Sequence, residues 1–242
     1  MIPVDGPPAL LELARELSKE GANGFLLSGG CDREGKVPIG PYLDTIAEVK
    51  KETGLLINVH TGLLGRGEAE AIAKVSPDCC SVDIVQEEKA IRDILHLDVG
   101  RDAYRETLAN LFSSGAKHVV PHICVGLSET PEGERAALRL VQDFEIESLV
   151  VLVFLSTKGT PVENSPPVDD DRVVGFVEEA VDRLGCRVLL GCMRPRGNWE
   201  LEAKCIESGL AGIAVPSRRT MNWAKDRGLD LEVREVCCAL YR

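Results

Sequence analysis

Residues that can do chemistry recur in this sequence where apolar runs end. The first such run is followed by Ser28-Gly29-Gly30-Cys31, and later runs end in similar polar or thiol residues. The other candidates, in chain order, are Asn58, His60, Asp83, His122, Cys124, Gly126, Glu129, Lys158, Cys192, Arg194 and Arg196. Because carboxylates, imidazoles, thiols and cations converge on these positions, the pattern predicts one shared functional site at the strand ends.

The polar residues of the first three runs each allow two interpretations. Gly29 and Gly30 suit the close approach of a ligand to the backbone, and they also suit a tight turn. Asn58 and His60 alternate, so they share one face of a strand. They are interpreted as a functional pair, the alternative being buried, hydrogen-bonded polar groups. Asp83 stays open between a ligand contact and a helix cap.

Nine cysteines are many for a chain of 242 residues. Their odd number and the lack of an export signal argue against a disulfide framework, and no CxxC pair marks a zinc site. Cys31, Cys124 and Cys192 end three different predicted strands, so they are either ligands of an auxiliary cluster or small buried apolar residues. The same choice stays open for Cys237 and Cys238. Four others are assigned to the core: Cys79, Cys80, Cys186 and Cys205.

Three cations are candidates for binding a substrate. Arg194 and Arg196 can clamp a carboxylate, because the planar guanidinium matches it in a bidentate manner; the alternative is a pair of surface arginines. Lys158 begins the segment Lys-Gly-Thr-Pro. A Schiff-base role for Lys158, as in a lyase or aldolase, would need a desolvated amine. The loop is predicted to be exposed, so that role ranks last.

The elements that must position these residues are seven apolar strands separated by helix-like segments. Strands are predicted at 24–28, 55–60, 80–85, 118–124, 148–155, 187–192 and 212–215. Their near-continuous Val, Ile and Leu content is typical of parallel strands covered on both faces. The alternation predicts a single α/β domain over residues 1–242, a TIM-type (β/α) or partial barrel rather than a doubly wound sheet. The first element is a helix, so the first strand of a complete barrel is expected to be missing.

Composition limits the partners. The formal net charge of −11 disfavours nucleic acid, because a phosphate backbone would be repelled. No apolar run is long enough to cross a bilayer, and the sequence MIPVDGPP does not resemble a signal peptide. A cytoplasmic protein with a small-molecule substrate is therefore expected.

Four segments resemble the radical S-adenosylmethionine (SAM) superfamily, in particular its biotin-synthase-like group. "LSGG" at 27–30 resembles the glycine motif that meets the SAM amino group, and "HICVGLSE" at 122–129 resembles the segment that packs on the adenine, matching it at Gly126 and Glu129. "KGTPVEN" at 158–164 and "GCMRPRG" at 191–197 resemble two further loops. The resemblance implies SAM contacts at Ser28, Gly29, Gly30, Asn58, His60, Asp83, His122, Gly126 and Glu129 and substrate contacts at Lys158, Arg194 and Arg196. For His122 the alternative is a core histidine.

The segment order and the closing "CCALY" are most similar to archaeal homologues, among them subunits of the archaeal-type two-component lipoyl synthase. This resemblance implies a second radical SAM subunit as a partner. It also implies a [4Fe-4S] cluster and an enzyme that generates a 5′-deoxyadenosyl radical for hydrogen abstraction and sulfur insertion into an acyl chain.

One departure from the family is large, because the CxxxCxxC motif that holds the [4Fe-4S] cluster is absent. The cluster ligands are expected upstream of Met1, and the chain as written is not expected to cleave SAM. The alternatives are a non-catalytic barrel that binds SAM or a partner subunit, and a (β/α)-barrel lyase or aldolase.

Overall fold

A computed structural model describes residues 2–241, which divide into two compact units. The first unit comprises the residues up to Val82, Leu97–Val120 and the residues from Glu235 onward. The second comprises Asp83–His96 and Pro121–Arg234. The single domain expected from the sequence stays a prediction beside this division.

The chain alternates helices and strands from beginning to end. The helices are α1 (Pro7–Lys19), α2 (Leu43–Thr53), α3 (Arg66–Val75), α4 (Asp102–Ser113), α5 (Glu132–Val141), α6 (Asp170–Arg183), α7 (Trp199–Glu207) and α8 (Arg218–Asp226). The strands are β1 (Gly24–Leu27), β2 (Leu56–His60), β3 (Cys79–Asp83), β4 (Val119–Val125), β5 (Ser148–Val153), β6 (Arg187–Leu190) and β7 (Gly212–Ile213). Short 3₁₀ turns lie at Gly40–Tyr42 and Cys238–Leu240, and a π-helical turn lies at Ala90–Ile94.

The seven strands form a parallel sheet whose order follows the chain from β1 to β7. This order lacks the reversal that marks a doubly wound sheet. The fold is therefore a partial TIM-type α/β fold, and the predicted seven parallel strands led by a helix are confirmed. Among residues 2–241, β1 pairs with β2 alone, and the segment between Leu229 and the turn at Cys238–Leu240 contains no strand.

The core of the first unit lies between its helices and its strands. Leu10 and Ala14 on α1, Ile46 and Val49 on α2, and Ile57 on β2 are all buried in one apolar cluster. Each large side chain of this kind stabilises the fold by about 1.5–3 kcal/mol through removal of apolar surface from water. This packing fixes β1 and β2, and with them the polar residues at their ends.

Helix starts in the second unit are set by capping side chains. Asp169 accepts a hydrogen bond from the Asp171 amide at the start of α6. Asn198 caps α7 through the Leu201 amide, and Ser217 caps α8. All six residues of β5 are buried, so this strand is covered on both faces. None of the helices within residues 2–241 has the length and apolar character needed to cross a membrane.

Candidate functional site

The segment after β1 presents bare backbone in the first unit. Gly29 and Gly30 are exposed, a Cβ atom at Gly29 would meet only Val37 at 3.7 Å, and one at Gly30 would meet nothing within 4 Å. Neither glycine is needed to avoid a clash, so their bare backbone leaves room for another molecule. A cleft of about 600 Å³ borders Gly30. That volume lies in the range of small-molecule sites, about 300–1,000 Å³.

The end of β2 places an imidazole beside this segment. His60 is half-buried, and its Nδ1 lies 3.5 Å from the Ser28 hydroxyl oxygen. The register of the parallel pair sets Leu27 opposite Val59, so Ser28 and His60 are the next positions of the two strands. Two of the predicted site residues are therefore brought together by strand pairing.

Asn58 is fully buried within a hydrogen-bonded network. The Ser81 hydroxyl donates to Asn58 Oδ1 over 2.7 Å, and Asn58 Nδ2 donates to Cys237 Sγ over 3.5 Å. Asn58 thus has the partners expected of a buried polar residue. The sequence pattern did not single out Ser81 as a site residue or link Asn58 to Cys237, although Ser81 alternates with Asp83 along β3.

Cys237 has an unusual electrostatic environment. Hydrogen bonds from the Cys238 side chain, the Ala239 amide and Asn58, together with nearby His60, lower the pKa of Cys237 to about 6, although burial opposes them. A thiol with such a pKa is largely ionised at neutral pH.

In the second unit, Asp83 and His122 face each other at 3.7 Å between Oδ1 and Nδ1. His122 is largely buried within β4, whereas Asp83 is half-exposed at the end of β3. The backbone amide of Ile84 donates to the His122 carbonyl over 2.8 Å, which joins the ends of the two strands. This separation is too long for a direct hydrogen bond, and both groups offer polar atoms to a ligand that lies between them.

The thiol of Cys124, two residues beyond His122, has a raised pKa, in contrast to that of Cys237. Burial, with smaller contributions from Asp83 and Glu134, raises the pKa of Cys124 to about 12. Of the other two cysteines assigned to an auxiliary cluster, Cys192 is exposed in the second unit and Cys31 is exposed in the first. The three-cysteine cluster stays a prediction.

Gly126 occupies a position that requires glycine. Its φ is +86°, and a Cβ atom there would lie 2.2 Å from Val168 Cγ2. Glu129, three residues further on, is exposed and pairs with Lys89, while its amide donates to Glu87 Oε2 over 3.3 Å. The turn after β4 is therefore closely packed at its glycine and open at Glu129.

A buried ion pair that the sequence did not reveal supports this turn. Arg172 binds buried Glu134 in a bidentate manner, at 2.6 and 2.8 Å, and also donates to the Ser128 carbonyl over 3.0 Å. Both charges lie in helices whose patterns gave only an amphipathic signal, so their pairing was not visible in the sequence.

The predicted arginine clamp requires a correction at Arg194. Arg194 is buried and binds Glu202 at 2.5 Å, and it also donates to the carbonyl groups of Gly191, Ala214 and Val215. Its guanidinium is thus engaged with the protein itself rather than held open for a substrate carboxylate. Arg196 is exposed and donates to the Val215 carbonyl over 3.3 Å, so it remains accessible.

Lys158 lies in an exposed loop closed by local hydrogen bonds. The Gly159 amide donates to Glu163 Oε2 over 2.7 Å, and the Thr160 hydroxyl donates to the Thr157 carbonyl over 2.7 Å. The exposure of Lys158 argues against the desolvated amine that Schiff-base chemistry requires.

Comparison with curated proteins finds biotin synthases. That of Synechococcus sp. (strain CC9311) is 25% identical over 222 residues, covering 87% of this chain and 66% of the relative. That of Pseudoalteromonas atlantica is 27% identical over 216 residues, covering 84% of this chain and 55% of the relative. No protein-family model matches the sequence.

Solved structures share the fold at low sequence identity. The FeFe-hydrogenase maturase HydG from Carboxydothermus hydrogenoformans aligns with a TM-score of 0.69 and 14% identity, over 94% of this chain and 59% of that one. Methylornithine synthase aligns with a TM-score of 0.65 and 14% identity, over 94% and 74%. HMG-CoA lyase from Brucella melitensis aligns with a TM-score of 0.60 and 11% identity, over 91% and 84%. Such likenesses show the fold alone.

The chain thus combines a partial (β/α) barrel with sequence similarity to biotin synthases. That similarity is at 24–26% identity for three of these relatives. The chain spans about 55–66% of the length of the curated biotin synthases described above.

SAM and a [4Fe-4S] cluster, which this group implies, fit the chain differently. The bare backbone of Gly29 and Gly30 and the cleft beside Gly30 leave room for a ligand such as SAM. The cluster does not fit, because the nine cysteines contain no CxxxCxxC motif. Any cluster of the usual kind would need thiolates that these 242 residues do not supply in that spacing.

Proposed function

We propose that this chain is the SAM-binding part of a radical SAM enzyme of the biotin-synthase-like group. The observation that carries the proposal is the exposed Gly29-Gly30 backbone after β1, next to Ser28 and His60, in a chain similar to biotin synthases. Bound SAM supplies a 5′-deoxyadenosyl group when it is reductively cleaved. The proposed roles of this chain are to bind SAM and to keep the reacting carbon away from water.

The residues after β1 and β2 would hold the polar end of SAM. The backbone of Gly29 and Gly30 is proposed to meet the amino group of SAM, while Ser28 and His60 offer a hydroxyl and an imidazole. In the second unit, Asp83, His122, Gly126 and Glu129 are the proposed further contacts. Because Gly126 tolerates no side chain, this turn can be held in one position against a flat ring.

The proposed substrate is a small molecule or acyl group that undergoes hydrogen abstraction, with sulfur insertion as the proposed outcome. Lys158 and Arg196 are exposed cations that suit a carboxylate on such a substrate. The proposed place of action is the cytoplasm, and the proposed partner is a second radical SAM subunit.

A second candidate is a barrel that binds SAM or a partner subunit without cleaving SAM. The specific observation that favours it is the absence of CxxxCxxC from the sequence. Where the second candidate binds SAM, the two agree on SAM binding and differ in what happens when cluster thiolates are supplied.

Titration calorimetry of the chain with SAM tests the shared step. Gly30→Val should weaken SAM binding at least about tenfold, because the new side chain occupies the space that the ligand needs. Its Cβ meets no protein atom within 4 Å, so folding should be preserved. Gly185→Val is the matched control, since its Cβ also meets nothing within 4 Å. Equal SAM affinities in wild type and Gly30→Val would refute the assignment.

A further inference from the structure

The adjacent cysteines Cys237 and Cys238 have no role in the function proposed above. Cys237 is half-buried in the first unit and immediately precedes the turn at Cys238–Leu240. The turn is held in place because the His118 ring lies 2.8 Å from the Ala239 carbonyl. Asn23 also donates to the Glu235 carbonyl over 3.2 Å. Two separate contacts thus fix the position of Cys237 against β2.

The amide of Asn58 is oriented toward the sulfur of Cys237. Ser81 donates its hydroxyl to Asn58 Oδ1, which leaves the Nδ2 group to face Cys237 Sγ at 3.5 Å. Ser81 and Asn58 are both fully buried, so water does not compete for these bonds. A neutral thiol is a weak acceptor, whereas a thiolate is a strong one. A buried amide donor aimed at this sulfur is therefore best matched by a thiolate.

The titratable groups around Cys237 come from three elements. Cys238 donates from the same turn, His60 lies on β2, and His118 precedes β4 and contacts the turn through Ala239. His60 favours negative charge on Cys237. Cys237 is only partly buried.

We propose that Cys237 is a sulfur-accepting nucleophile whose thiolate attacks the sulfur of a disulfide or persulfide. In the step, the Cys237 sulfur forms a new S–S bond, and the S–S bond of the reagent breaks. The departing thiolate leaves with the electron pair of the broken bond and takes a proton from water. With a disulfide the product on Cys237 is a mixed disulfide, and with a persulfide that transfers its outer sulfur it is a cysteine persulfide. No external oxidant is needed.

The expected difference in reaction rate between Cys237 and an ordinary thiol follows from general thiol chemistry. Near pH 6 an ordinary thiol is ionised to about one part in three hundred, while half of a thiol with a pKa near that pH is ionised. A thiolate of lower pKa is also a weaker nucleophile, and this reduces the rate advantage of the more ionised thiol by about tenfold. Cys237 should therefore react about tenfold faster than an ordinary thiol near pH 6. It should lose this advantage above about pH 9, where both thiols are ionised.

The test uses the whole chain with 2,2′-dithiodipyridine as the disulfide probe and glutathione as the reference thiol. Peptide mass spectrometry identifies the modified cysteine at early times near pH 6. We expect Cys237 to be modified before the exposed Cys31 and Cys192, and about tenfold faster than glutathione. Cys237→Ser should abolish this fast phase. A fast phase that survives Cys237→Ser, or a rate at Cys237 no higher than that of glutathione, overturns the proposal.

A matched pair of variants tests how the thiolate is held. Cys238→Ser keeps a side-chain donor and should keep the fast phase, whereas Cys238→Ala removes it and should slow the phase about three- to tenfold. Equal rates in these two folded variants would contradict the role of Cys238. Oxidised glutathione and glutathione persulfide then separate the two sulfur sources, because intact mass gains a glutathionyl group or a single sulfur atom. Failure of both to modify Cys237 refutes the proposal, and neither result depends on SAM binding.

Discussion

At the scale of single residues, burial raises the pKa of several cysteine thiols, whereas hydrogen-bond donors lower the pKa of another. Burial raises the pKa of Cys80 to about 12, and burial together with nearby carboxylates does the same for Cys124 and Cys205. Cys237 is half-buried, yet donors from Cys238 and Asn58 lower its pKa. The local sequence does not distinguish these thiols, because Cys79 and Cys80 are adjacent as well and Asn58 lies 179 positions from Cys237.

The buried pair of Arg194 and Glu202 gives a prediction for stability. Replacing Glu202 by Gln leaves the guanidinium buried without its counter-charge, which should lower the free energy of unfolding by about 3–5 kcal/mol in urea titrations. Glu200→Gln, on the same helix but exposed, should change it by less than about 0.5 kcal/mol. If the two variants are equally stable, Arg194 does not depend on Glu202.

The same pair predicts a pH dependence with a definite sign. Burial acts to raise the pKa of Glu202, but hydrogen bonds from Thr220, Arg194 and the Ser217 amide lower it below its ordinary value of 4.5. The ionised carboxylate is therefore favoured in the folded state. The stabilisation from the ionised Glu202 carboxylate is present above about pH 4.5, and it is lost as the pH falls through the lowered folded-state pKa. Glu202→Gln should remove this part of the acid sensitivity.

At the scale of elements, strong apolar patterns were predictive and weak ones were not. All seven strands lie where their Val, Ile and Leu runs placed them, with ends shifted by one or two residues. The apolar pattern did not indicate the helices α3 and α8. Only Ala69 and Ile72 are buried on α3, and only Thr220 and Ala224 on α8, so neither helix carries a broad apolar stripe. These two segments are helical because of how they pack in the folded protein rather than because of a strong local apolar pattern.

The polar contacts of the first unit could also be predicted only in part from the sequence. Parallel pairing brings the ends of β1 and β2 together, so Ser28 lies beside His60. The contacts of Asn58 and His118 with the residues after Glu235 depend on how the last segment returns to β2. No periodicity in the sequence encodes such a return.

The cap of α6 gives a prediction for one element. Asp169→Ala removes the acceptor of the Asp171 amide and should lower the free energy of unfolding by about 1 kcal/mol. Asp182→Ala is the control, because this exposed carboxylate lies near the C-terminal end of the same helix and should cost nothing or stabilise slightly. Chemical denaturation of both variants measures the difference. A loss as large for Asp182→Ala as for Asp169→Ala would contradict the capping role.

At the scale of the whole molecule, the fold bears on the class of protein, and the absence of CxxxCxxC bears on the reaction. The parallel strand order defines the fold, and the similarity to biotin synthases supports the proposed class of protein. The fold alone does not identify the reaction, since HMG-CoA lyase shares it at a TM-score of 0.60. The proposed reaction would depend on an electron source close to SAM, and the CxxxCxxC thiolates that would hold one do not occur in this sequence.

The 242-residue chain alone should therefore bind SAM without cleaving it. After anaerobic treatment with iron, sulfide and dithionite, we expect no 5′-deoxyadenosine above the level of a protein-free blank, measured by liquid chromatography. Supplying a CxxxCxxC segment, either as an N-terminal extension or on a second radical SAM subunit, should produce 5′-deoxyadenosine. The same extension with its cysteines replaced by alanine is the control. Formation of 5′-deoxyadenosine by the unextended chain would show that other cysteines among the nine can hold the reducing cluster. No product in the extended form, with SAM binding intact, would instead favour a barrel that binds SAM without catalysis.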